Sequence, residues 1–231
     1  PPFERRRRFS FAYRSTLPFF NHDYYFQQGI NMTYAWVNTA PNWTNLAARG
    51  IVPAGDGSGL MWGAHSLFQY IPPRPDQHLW EPYQWITNRN YFATHPDYFS
   101  MNPSGARVAQ QFCFGNRALR DTFTQTVLEH IRRLGDRAII GAGAEDCGGM
   151  FCHCDACKAL GEQYASPAGA YFDYLLELCD RVQERHPGAT IRGLAYRHEQ
   201  TQKPPRLPAG KRFPDNFAVL QFNTFLMIPN K

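Results

Sequence analysis

Long apolar runs are missing from this sequence, and no stretch approaches the roughly 20 residues that a membrane-spanning helix needs. We therefore expect no membrane partner. No signal peptide begins the chain, but its opening, PPFERRRR, is abrupt, and we expect a segment of a larger protein. A glycine-rich dinucleotide fingerprint and a phosphate-binding loop are missing too, so no motif supports a nucleotide-binding fold.

The 231 residues suffice to bury a core, and we expect residues 1–231 to form one domain. Aromatic residues make up 15% of the chain; most should pack in the core, although flat rings also line sugar-binding clefts. The net charge of +5 owes much to the run Arg5–Arg8. Because no basic face accompanies that run, we expect no nucleic-acid partner.

Hydrophobic periodicity predicts two clear helices and several short strands. One helix spans Asn116–Leu134 and should end at Gly135, and the other spans Pro167–His186 with Ser166 as its N-cap. A shorter helix is expected at His22–Gly29. The six strand candidates are Phe9–Arg14, Met32–Val37, Leu60–Tyr70, Ala138–Ala144, Thr190–Tyr196 and Phe217–Asn223.

Strands that alternate with helices or long excursions predict parallel βα units. Since a closed (β/α)8 barrel needs eight strands, we expect an α/β fold of the TIM-barrel type that is incomplete in this chain, with about six strands. Missing strands would leave unpaired edges, so missing sequence or a partner should cover them. A doubly wound open sheet is the alternative. The aromatic, proline-rich segment 71–111 has few regular signals, and loops of that length usually serve function.

The stretch Ala138–Cys157, AIIGAGAEDCGGMFCHCDAC, is the most informative part of the sequence. Its apolar half predicts a buried parallel strand, which ends in the adjacent carboxylates Glu145 and Asp146. Four cysteines then crowd together: Cys147, Cys152, Cys154 and Cys157. Four thiolates can enclose a structural zinc ion, while one or two disulfides, or free thiols, are the alternatives. Cys113 and Cys179 are expected to be small buried apolar groups.

Several ordered segments resemble a bacterial family of glycoside-hydrolase-like proteins, domain of unknown function 4838. The segments are WGAHSLFQYIPP, YFATHPDYFSMN, QFCFGNRALRDTF, AEDCGGMFCHCDACKAL, AYFDYLLELCDRVQERHPGATIRGLAYRHEQTQKPP and DNFAVLQF. The resemblance implies an exported, multi-domain protein whose central domain is similar to the TIM barrels of α-glucuronidases and β-N-acetylhexosaminidases. It also implies a carbohydrate-related role. Where the family tends to show Asn-Asp-Gly, this chain has Glu145-Asp146-Cys147, so only Asp146 carries over directly.

The family implies no defined reaction, but we expect glycoside hydrolysis, with the reacting acid at the end of the strand before the cysteines. We expect Asp146, or its neighbour Glu145, to be the catalytic acid, and a polysaccharide or oligosaccharide to be the substrate. Candidates for substrate binding lie at or near other strand ends: Arg14, His65, Tyr196, Glu199 and Asn223. The alternatives are a non-catalytic carbohydrate-binding domain and a structural metal-binding domain built around the cysteine loop.

Overall fold

The computed structural model describes residues 15–16, 32–33, 52–53, 65–80, 83–147, 151–196 and 204–221. The chain divides into two compact units, Pro1–Gly57 and Ser58–Lys231. The described strands of the first unit pair in parallel in the order β1-β2-β3, and they are β1 (Ser15–Thr16), β2 (Met32–Thr33) and β3 (Val52–Pro53). The predicted strand Phe9–Arg14 and helix His22–Gly29 lie outside the described residues.

The second unit mixes helices with parallel and antiparallel strands. Its helices are α1 (Leu67–Tyr70), α2 (Tyr91–Thr94), α3 (Arg117–Leu134), α4 (Asp155–Gln163) and α5 (Gly169–Arg185), with a 3-10 turn at Pro96–Tyr98. Its strands are β4 (Phe99–Met101), β5 (Arg107–Phe112), β6 (Ile139–Gly141), β7 (Thr190–Ala195) and β8 (Phe217–Gln221). The mixed α/β character agrees with the sequence.

The long helices begin and end where local chemistry dictates, with one exception. Asn116 caps α3, because its side-chain oxygen accepts a hydrogen bond from Leu119 N at 3.0 Å. Gly135, at φ 106°, ends that helix as predicted. The predicted N-cap of α5 was wrong: Ala168 occupies that position, and Ser166 Oγ instead accepts from Ala168 N within the preceding turn.

The core of the second unit lies between the parallel sheet β6-β7-β8 and the helices α3 and α5. Tyr171 of α5 links that helix to two strands, because its hydroxyl donates to Ala142 O at 2.7 Å and accepts from Leu194 N at 3.3 Å. Phe123 of α3 packs edge-on against Tyr174 of α5. This packing fixes the carboxyl end of β6, from which the predicted acids project.

The expected TIM-barrel-like fold was wrong. In the described part of the chain, the strands form separate sheets of two or three strands, and none closes on itself. The segment 71–111, predicted to lack regular structure, contains the antiparallel hairpin of β4 and β5, with Ser100 opposite Val108. The predicted strand Leu60–Tyr70 ends instead as the helix α1. The β4–β5 hairpin and the helix α1 therefore occupy a region in which the sequence predicted parallel βα units.

No helix among the described residues is long and apolar enough to cross a membrane. Export, and the expectation that the chain is a segment of a larger protein, stay predictions.

Candidate functional site

Four cysteine side chains from three parts of the chain converge beside the β4–β5 hairpin. Cys113 directly follows β5, while Cys152 and Cys154 lie in the loop after β6. Cys157 lies in the first turn of α4 and is buried. The four sulfur atoms all lie within 4.8 Å of one another. This group, called here the four-cysteine cluster, could bind a metal ion.

The sulfur separations match a single tetrahedral ion. A tetrahedron with metal–sulfur bonds of about 2.3 Å has sulfur–sulfur edges of about 3.8 Å. Cys113 Sγ is 3.5 Å from Cys154 Sγ and 3.8 Å from Cys157 Sγ. An iron–sulfur cluster would hold at least some of its cysteines farther apart, because thiolates bound to different iron atoms are separated by the cluster itself. The cluster therefore fits a mononuclear centre.

Hydrogen-bond donors and a cation surround the sulfur atoms. The backbone amide of Met101 donates to Cys152 Sγ at 3.2 Å, and that of Gly115 donates to Cys157 Sγ at 3.2 Å. Arg107 Nη1 lies 3.8 Å from Cys152 Sγ. Four thiolates around a divalent ion carry a net charge of about −2 by simple addition. These donors and the guanidinium lower the cost of burying that charge.

Contacts among the thiols decide which sulfur atom holds its proton most weakly. Hydrogen bonds from Cys113 and Cys157 lower the pKa of Cys152. The contact with Cys152 raises the pKa of Cys113 to about 12, and the contact with Cys113 raises the pKa of Cys157. A metal ion must therefore displace protons from the cluster, and its affinity should fall as the pH falls.

The four-cysteine cluster differs at one position from the set of metal ligands that the sequence predicted. Cys147 lies outside the four-cysteine cluster, with its sulfur 3.7 Å from Gln111 Nε2. Cys113 takes its place, although the sequence pointed to a buried apolar role for it. The six cysteines, all of them among the described residues, form no disulfide in the structure, which was one of the alternatives. Spacing within one loop could not reveal Cys113, because only the hairpin brings it there.

The two predicted acids occupy different environments after β6. Glu145 is partly buried, and its Oε1 accepts a hydrogen bond from Phe68 N at 2.8 Å. Burial raises the pKa of Glu145 to about 7, despite that hydrogen bond. Asp146 is exposed. A carboxyl group with a pKa raised towards neutrality can serve as a proton donor.

Two of the predicted substrate-binding residues lie close to this acid. His65 Nδ1 is 2.6 Å from Ala144 O, next to Glu145 in the chain. Because a carbonyl oxygen only accepts, Nδ1 carries the proton, and a neutral ring has its lone pair on Nε2. The ring of Tyr196 meets that of His65 edge-on, with centroids 5.4 Å apart. The other three candidates lie outside the described residues: Arg14, Glu199 and Asn223.

The raised pKa of Glu145 predicts a specific pH dependence of stability. Its ordinary pKa is 4.5 and its folded pKa is about 7, so the folded chain holds the proton more tightly. The stabilisation is complete below about pH 4.5 and is lost as the pH rises to about 7, amounting to at most about 3 kcal/mol. Glu145→Gln, which retains an acceptor for Phe68 N, should abolish this decline. Urea unfolding of the wild type and of Glu145→Gln at pH 5 and pH 8 measures this decline. An equal pH dependence of the two proteins would contradict the assignment of the raised pKa to Glu145.

Comparison with known proteins gave one match. A family model described as Domain of unknown function (DUF4838) matches residues 10–213, which is most of the chain. Neither the comparison with curated proteins nor the comparison with solved structures gave a match.

Proposed function

The chain belongs to the DUF4838 family, and we propose that it binds one structural zinc ion through its four-cysteine cluster. The observation that carries this proposal is the convergence of four sulfur atoms within 4.8 Å of one another. Zinc favours tetrahedral sulfur coordination and needs no redox partner. Four thiolates complete the coordination shell, so no position stays open for a substrate, as is usual for a structural rather than a catalytic site.

The helix α4 explains why the chain would need this ion. Among its nine residues, only Cys157 is buried. Leu160 packs partly buried against the core, but no other residue of α4 is fully buried, and a helix of this length is not stable in isolation. A metal ion bound to Cys157, Cys113 and the loop between β6 and α4 would anchor the helix to the hairpin.

Metal analysis of the purified chain tests the zinc proposal. Protein prepared under reducing conditions with zinc should carry about one equivalent per chain in native mass spectrometry, as one tetrahedral site requires. Cys113→Ser should lose most of this metal. Cys147→Ser, which alters the neighbouring cysteine outside the cluster, should keep it. If Cys113→Ser kept its zinc and Cys147→Ser lost it, the ligand would be Cys147, as the sequence predicted, and the four-cysteine cluster would be refuted as the zinc site.

A second proposed function is acid catalysis on a carbohydrate, with Glu145 as the proton donor. The observation that favours it is the pKa of about 7, which would keep much of the acid protonated near neutrality. Glycoside hydrolysis needs such an acid to protonate the leaving oxygen. His65 and Tyr196 would contact the sugar, because they lie beside the backbone segment that presents Glu145.

Turnover on an oligosaccharide panel tests the catalytic proposal. For a substrate that the wild type cleaves, Glu145→Gln should lower kcat by about 10²–10⁴-fold, as expected for loss of a general acid. Glu162→Gln, an exposed acid on α4, is the matched control and should leave turnover unchanged. Full activity of Glu145→Gln would refute the role of Glu145. Glycan binding by the wild type without any cleavage would support the non-catalytic alternative.

A further inference from the structure

A groove of about 350 Å³ opens beside the four-cysteine cluster. Residues of the β4–β5 turn and of the first turn of α4 line it: Met101, Asn102, Pro103, Gly105, His153, Cys154, Asp155 and Lys158. Of the four cluster cysteines, Cys154 is the only one in this lining. Cys154 is also partly exposed, whereas Cys113, Cys152 and Cys157 are buried. The groove therefore gives small molecules in solution a path to one metal-binding sulfur atom.

The hydrogen bonds around the cluster make the sulfur atoms unequal. Amide donors described above reach Cys152 and Cys157, and such bonds withdraw electron density and reduce nucleophilicity. Cys154 instead has the sulfur of Cys113 at 3.5 Å. Lys158 lines the same groove, and its cation would stabilise an anionic leaving group that formed there. Exposure, a neighbouring thiol and a nearby cation together mark Cys154 as the reactive sulfur.

We propose that hydrogen peroxide, or a small peroxide of the same class, enters this groove and releases the zinc ion by oxidising Cys154 and Cys113 to a disulfide. The proposal rests on the structural zinc function above. Loss of two of its four ligands leaves the ion held by Cys152 and Cys157 alone, so its affinity falls. Release of the ion then loosens α4, in which Cys157 is the one fully buried residue. The cluster thus acts as a peroxide-sensitive switch on the local fold.

The reaction balances in two steps. The Cys154 thiolate attacks one oxygen of the peroxide, so that a sulfur–oxygen bond forms, the oxygen–oxygen bond breaks and hydroxide leaves. The Cys113 thiolate then attacks the sulfur of the resulting sulfenic acid, a disulfide forms, the sulfur–oxygen bond breaks and a second hydroxide leaves. Two thiolates lose two electrons in all, and one peroxide gains them. A dithiol reductant reverses the disulfide.

The test uses the full zinc-loaded chain, and its zinc content is measured before any oxidant is added. Protein without zinc at that stage would refute the structural zinc site itself. With zinc present, one to five equivalents of hydrogen peroxide should release the ion to a chromogenic chelator. Peptide mapping after thiol blocking should show a Cys113–Cys154 disulfide, and dithiothreitol with added zinc should restore the metal content. Retention of zinc at five equivalents, or a Cys154–Cys157 disulfide, would overturn the proposal while leaving the zinc site intact.

Two variants that keep all four ligands separate this route from general oxidation. Lys158→Met should slow zinc release several-fold, because it removes the cation from the groove, and an unchanged rate would overturn entry through the groove. Cys147→Ser should release zinc at the wild-type rate. Slower release from Cys147→Ser would show that Cys147, rather than Cys113, resolves the oxidised sulfur, and would refute the proposed pair.

Discussion

Removal of zinc from the loaded chain is expected to release α4 and to lower the melting temperature by more than about 10 °C. Structural zinc sites contribute on the order of 10 kcal/mol to folding, and each kcal/mol corresponds to about 2–4 °C in a domain of this size. Protection from hydrogen exchange should fall first in α4, because Cys157 is the one fully buried residue of that helix. Thermal unfolding and hydrogen exchange before and after chelation, under constant reducing conditions, measure both effects.

The helix α5 provides an internal control for this experiment. Ten of its 17 residues are buried, so its amides should keep their protection when the metal leaves. Added zinc should restore the exchange pattern of α4 and the melting temperature. Cys147→Ser should respond to chelation as the wild type does. Undiminished protection of α4 in the metal-free chain would show that apolar packing, rather than the ion, holds this helix.

The sequence predicted those features that depend on neighbours close in the chain. The periodicity of α3 and its end at Gly135 are local features, and both were confirmed. The strands at Ile139–Gly141 and Thr190–Ala195 were found for the same reason, since short apolar runs between turn residues mark buried strands.

The features that the sequence missed depend on contacts between distant residues. Buried and exposed side chains do not alternate along β5 as they do in a typical strand. They are buried at one end of β5 and mostly only partly buried at the other. Cys113 joins the four-cysteine cluster only through that hairpin, so spacing within the loop pointed to Cys147 instead. The barrel was inferred from a count of strands, and a strand count does not determine which strands pair.

A charged residue of α3 lies in the core of the second unit. Arg120 of α3 is 5% exposed, and its Nη1 lies 2.7 Å from Asp173 Oδ2 and 2.9 Å from Glu177 Oε2 of α5. Its Nε donates to Phe114 O, so one side chain joins both helices to the segment that follows β5. Arg120→Met should cost about 3–5 kcal/mol, because the buried Phe114 carbonyl and both carboxylates lose their buried cation. Asp173 then keeps only the Tyr164 hydroxyl, and Glu177 keeps only the more exposed Arg117 and Arg181.

Arg117 supplies a matched control, because it binds the same carboxylate from an exposed position. Its side chain is 68% exposed and its Nη1 lies 2.8 Å from Glu177 Oε2. Arg117→Met should cost no more than about 1 kcal/mol, as is typical of surface ion pairs. Urea unfolding of both variants gives the comparison, and Asp173→Asn with Glu177→Gln in the Arg120→Met background should recover part of the loss. Equal stability of the two single variants would mean that burial adds nothing to this ion pair.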